Sequence, residues 1–167
     1  MLFYIAQEMY KKGYLLNSAT LLSEALGMYC TWGLKKIDPK IKEKIDEYEK
    51  RAFEQKDGWM TFKLYELYNQ AKIFYTKKDL KFSFLLIKND KNWNESIKNE
   101  IKPIIEKENL FNEKLKKLSS KCDREIRNNL AHANTAKRLS DVKKEIRSAL
   151  DQFKSHCIEN DVLGVNK

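Results

Sequence analysis

Glycine and proline are scarce in this 167-residue chain, at five and two residues. A sheet protein needs a turn every 8–12 residues or so, and so little punctuation excludes an all-β architecture. Histidine is scarcer still, with only His132 and His156. The three cysteines (Cys30, Cys122 and Cys157) are odd in number and far apart. They form neither a disulfide framework nor a Cys-x-x-Cys metal pattern, so they read as small core residues of a protein in a reducing, cytoplasmic compartment. No apolar run approaches the roughly 18 residues of a membrane span. The opening Met1 to Ala6 has no basic stretch and meets Gln7-Glu8 at once, unlike a secretory leader. A Gly-rich phosphate loop, a Gly-x-Ser-x-Gly elbow and paired His/Cys ligands are all missing. No metal and no cofactor are therefore expected.

What is present is a core and a helical rhythm. Hydrophobic residues make up 42% of the chain and include eight Phe, eight Tyr and three Trp, enough to build one domain. The reading is an all-α bundle of about six to eight helices over residues 1–160, with 161–167 a frayed tail. The first helix spans 2–12 and stops at Gly13. The second runs from about Ser18 to Lys36, with Ala19, Leu22, Leu26 and Tyr29 on one stripe. Asp38-Pro39 opens a third, to about Lys56, whose narrow seam is Ile41, Ile45, Tyr48 and Phe53. Residues 59–77 carry a broad apolar surface expected to be core or dimer interface. The segment Leu80 to Ile87 is ambiguous, with helix preferred, and Asn89 to Asn94 reads as a loop. Helix is expected from Ser96 to about Ser119, kinked or split at Pro103, and again within 121–134. The last helix, Asp141 to Ile158, is capped by Ser140-Asp141 and buries Val142, Ile146, Leu150, Phe153 and Cys157.

Lysine and arginine total 33 against 24 acidic residues, a net charge of +9. A surplus of that size on a small chain points to a polyanionic partner. Eleven of the basic residues and four of the acidic ones fall between Lys114 and Arg147. This basic stretch brackets the one segment with the residue types of a reaction site, Arg127-Asn128-Asn129-Leu130-Ala131-His132. An arginine followed by a histidine is a weak pattern. Asparagine after the arginine and alanine before the histidine make this form a roughly 3 in 10,000 coincidence. Asn128 and His132 are i, i+4 neighbours on one helix face. Arg127 lies about 140° from His132 on an ideal helix, a gap closed by its long side chain or by local distortion.

Arg127-Asn128-Asn129-Leu130-Ala131-His132 resembles the Arg-x4–6-His motif of HEPN-domain ribonucleases. Ala6 to Gly13 and Ala19 to Leu26 resemble the first helices of the HEPN domain in the CARF–HEPN ribonucleases of type III CRISPR systems. The Rossmann-like CARF sensor of those proteins has no counterpart here, so any sensor is a separate domain or protein. The resemblance implies a composite site in a homodimer and a role in CRISPR-linked antiviral defence.

The residue chemistry fits cleavage of single-stranded RNA without metal. RNA supplies its own 2′-hydroxyl nucleophile. Histidine titrates near neutrality, and arginine matches phosphate oxygens with a forked set of donors. The expected catalytic residues are Arg127, His132 and Asn128, the last to orient the imidazole or bind ribose. Lys121, Arg124, Lys137 and Arg138 are the expected RNA-binding residues. His156 is assigned no role. Two other readings share the charge and the fold: a non-catalytic basic helical subunit that binds RNA, and a HEPN toxin of a toxin–antitoxin pair.

Overall fold

The computed structural model describes residues 1–54, 59–78, 90–131 and 138–163, with only the backbone described at 59–63 and 128. The chain is all-α, and no strand occurs among the described residues. Helices α1 (Leu2–Lys11), α2 (Leu15–Leu34), α3 (Pro39–Glu54) and α4 (Trp59–Thr76) come first. Then α5 (Lys91–Ser96), a π-helix π1 (Ile97–Ile101) and α6 (Lys102–Ile105) run on without a break. So do α7 (Glu113–Ser120), π2 (Lys121–Arg127) and α8 (Asn128–Ala131), and finally α9 (Leu139–Phe153) with π3 (Lys154–Glu159). These are seven continuous stretches among the described residues, within the six to eight expected. The ambiguous segment 80–87 lies outside the described residues.

Local chemistry sets the boundaries. Gly13 sits at φ +83°, the left-handed region that favours glycine. Its N–H donates to the Tyr10 carbonyl, and the Tyr14 N–H reaches back to Met9 O at 2.9 Å. This paired closure ends α1. The Asp38 carboxylate accepts from the Lys40 N–H at 2.8 Å, ahead of Pro39 at the first helical position.

Four expectations need correction. Residues 91–96 are helix, not loop, because Asp90 accepts from the Trp93 N–H at 3.0 Å and Trp93 is buried against Tyr48, ring centroids 4.6 Å apart. Phe53 is 77% exposed, and Ala52 completes the α3 seam instead. From Tyr48 a step of four stays on the buried stripe, whereas a step of five leaves it. The split in the stretch from 96 to 119 falls at 106–112, beyond Pro103, which is accommodated in the first turn of α6. Arg138, not Ser140-Asp141, stands at the start of α9, and Asp141 occupies the first turn. There its carboxylate faces the positive end of the helix dipole.

All three π segments lie on buried stripes of four-residue spacing. Trp93, Ile97, Ile101 and Ile105 recur every fourth position, as do Leu118, Cys122 and Ile126, and the pair Phe153 and Cys157. In an α-helix a four-residue step overshoots one turn by about 40°. The wider turn of a π-helix offsets that drift. In α2, however, the same spacing at Leu22, Leu26, Cys30 and Leu34 is buried on a regular α-helix, so spacing alone does not set the turn.

The chain divides into two compact units, with α2 contributing to both. The unit of residues 27–112 is organised around the second half of α2 with α3 and α4. A Cβ built on Gly27 would lie 2.9 Å from Tyr68 Cβ and 3.0 Å from the Tyr68 carbonyl oxygen, so only glycine fits there. Cys30 is fully buried nearby, and burial pushes its thiol up to about 12 despite the Lys72 ammonium. Lys35 joins α2 to α3, bridging Asp46 at 2.8 Å and Glu49 at 2.5 Å. Burial works against its charge, but the two carboxylates outweigh it and hold the ammonium above its ordinary pKa.

The unit of residues 1–26 and 113–167 contains the candidate site. Phe3 of α1 stacks on Phe153 of α9 with centroids 5.0 Å apart. Ser18, fully buried in α2, donates to the Ala6 carbonyl at 2.8 Å. Cys122 and Cys157 are core residues of this unit.

Gly27→Ala is expected to destabilise the protein by about 1–3 kcal/mol, because overpacking against the α4 backbone outweighs the gain in helix propensity. Chemical denaturation checks this, and an unchanged or raised midpoint would contradict the close approach.

Candidate functional site

The basic stretch is built on two elements, the α7–π2–α8 run and the α9–π3 run. Leu115, Leu118, Cys122 and Ile126 are buried and turn one face of the first run into the core. Its twist is fixed by Asp123, whose carboxylate accepts from the Ser23 hydroxyl of α2 and from the Ser119 hydroxyl at 3.2 Å. With Asp123 held on that side, Arg124 is directed to solvent and Arg127, beside buried Ile126, is half-buried.

The widened turn ends at Arg127, and Asn128–Ala131 is regular α-helix. Distortion therefore occurs in this run, but on the N-terminal side of Arg127, and the backbone is regular as far as it is described after it. Asn129 donates its side-chain amide to the Glu125 carbonyl at 2.5 Å, serving the backbone at the π-to-α junction. Asn128 opens α8, where only its backbone is described. His132 and Lys137 lie outside the described residues.

The other sequence-predicted residues separate into two kinds. Arg124 and Arg138 are exposed and make no ion pair with described residues. Arg138 precedes α9 in extended conformation, φ −66° and ψ 146°. Lys121 is half-buried and donates to the Ser148 hydroxyl of α9 at 2.8 Å, so it ties the two runs together.

Sequence reasoning passed over the polar face of α9. Lys144, Arg147, Ser148, Gln152 and His156 line a groove of about 440 Å³ along it. Their spacing by threes and fours was a legible signal. His156 is half-buried there, and burial, followed by the nearby Lys114 cation, lowers its pKa from the ordinary 6.5.

Among the described residues, no three His, Cys, Asp or Glu side chains cluster as a metal site would require. No helix among them is long and apolar enough to cross a membrane. Comparisons with protein-family models, curated proteins and solved structures found no match.

The lowered pKa of His156 fixes the sign of a pH effect. The folded state takes up its imidazole proton less readily than the unfolded chain, so acidification through the ordinary range near 6.5 favours unfolding. The urea midpoint is expected to fall between pH 7.5 and 5.5, and His156→Gln is expected to lessen that fall. An identical pH dependence in the variant would contradict the placement of His156.

Proposed function

We propose that the protein is a metal-independent endoribonuclease of the HEPN type acting on single-stranded RNA. The observation that carries this reading is the segment Arg127-Asn128-Asn129-Leu130-Ala131-His132 set in the most basic part of the chain. The solvent-facing Arg124 and Arg138 support it by leaving cations within reach of phosphate.

The chemistry follows from the residue types. A base removes the proton of the ribose 2′-hydroxyl, and the oxygen attacks the adjacent phosphorus. The bond to the 5′-oxygen breaks, and that oxygen takes a proton from an acid. The products are a 2′,3′-cyclic phosphate and a 5′-hydroxyl end. Arg127 opposes the charge that builds on the phosphate oxygens, and His132 transfers a proton. Asn128 orients the imidazole or binds ribose. One imidazole does not easily serve as base and acid together, so two copies related by a twofold axis supply two of each group. The setting that fits this activity is antiviral defence, with any nucleotide sensor on another domain or protein.

Cleavage of a single-stranded RNA is expected to persist in EDTA and to leave cyclic phosphate ends. Arg127→Ala and His132→Ala are each expected to lower kcat by about 10²–10⁴-fold with helical circular dichroism unchanged. Full activity in both variants would refute the proposal. Salt-sensitive RNA binding without turnover would instead support the non-catalytic reading, which the cations along the groove of α9 also fit.

A further inference from the structure

The groove on α9 and π3 has the makings of a phosphate track. Lys144 and Arg147 border it as exposed cations, and Arg147 makes no ion pair with described residues. Lys121 reaches its wall from π2 through Ser148, and Lys114 acts on His156 from α7. Asp151 contributes one carboxylate to the lining.

Ser148 is the most informative residue in it. Its oxygen accepts from Lys121 Nζ at 2.8 Å and from Gln152 Nε2 at 3.2 Å. A hydroxyl that accepts twice still has one proton to give. That proton has no acceptor among the described residues, so the groove offers a donor flanked by cations. An anionic oxygen satisfies both needs.

We propose that this groove binds the sugar–phosphate backbone of single-stranded RNA, as a track outside the Arg127–His132 motif. This rests on the reading of RNA as substrate, and extends it to where the rest of the strand is held. From Lys144 to His156 the helix rises about 18 Å, the length of about five stacked nucleotides. Lys144, Arg147 and the Ser148 hydroxyl address phosphate oxygens, and the Gln152 amide is placed for ribose or base edges. No aliphatic anchor residue is among the described lining side chains, and apolar contact there comes from the stems and ring of polar ones. Peptide grooves, in contrast, are built on hydrophobic pockets.

The test is the Lys144→Ala/Arg147→Ala double variant of the full chain. Its probe is a fluorescent 2′-O-methyl oligouridylate of 12 nucleotides, which binds but lacks the nucleophile for cleavage. Affinity is measured across a salt series. The variant is expected to bind several-fold more weakly, with the slope of log K against log salt reduced by about 1.4 for two lost phosphate contacts. The double variant Lys40→Ala/Lys107→Ala, which removes two exposed cations from elsewhere, is expected to keep the wild-type slope. An unchanged slope in the groove variant, or an equal reduction in the control, would overturn the proposal. So would a slope change seen with a poly-glutamate peptide and not with the oligouridylate. Cleavage of unmodified RNA by the wild type is followed in parallel. Cleavage without a slope change removes the track and leaves the nuclease, whereas a slope change without cleavage removes the nuclease and leaves the track.

Discussion

The Asp123 carboxylate, held by the hydroxyls of Ser23 and Ser119, anchors the widened turn on which the arginine segment sits. On its other side Leu118, Cys122 and Ile126, spaced by fours, turn the same run into the core. Together the polar anchor and the apolar stripe fix the twist of the turn. The position of Arg127, last residue of the widened turn, follows from packing upstream of it. If this segment performs chemistry, its geometry is set by apolar spacing as much as by polar contacts. Wide turns of this kind often accompany functional sites.

Most of the fold was legible because its signals are local. Gly13 and Asp38-Pro39 act within a few residues, and the stripe from Val142 to Cys157 is written at regular spacing. The errors fall where a distant partner decides. Asn89 to Asn94 is polar and reads as loop, yet Trp93 finds Tyr48 some forty-five positions away and the helix forms around that contact. Phe53 is the stronger hydrophobe, yet Ala52 has the angle that reaches the core. The placement of α2 across two units was likewise invisible, because periodicity gives one buried stripe and does not say how many neighbours share it.

The candidate site was legible in composition and not in arrangement. Residue types alone drew attention to Arg127, Asn128 and His132. That Lys121 would be engaged with Ser148 follows from the approach of π2 to α9, which the sequence does not encode at short range. His156 was passed over for the same reason: alone it is one histidine near the end of a helix, and its setting comes from burial and then from Lys114 on another element. The two asparagines of the motif also divide in a way no pattern announces, with Asn129 spent on the Glu125 carbonyl and Asn128 one position earlier at the head of α8.

The three thiols have a practical consequence. Cys30 lies in one unit, and Cys122 and Cys157 lie in the other, all sealed from solvent. An alkylating reagent reaches such a sulfur only when the helices around it part. Native cysteines thus act as internal gauges of breathing. The rate at which Cys30 is modified reports on one half of the molecule, and the rates at Cys122 and Cys157 report on π2, which carries the arginine segment, and on π3 at the end of α9, with no foreign label introduced.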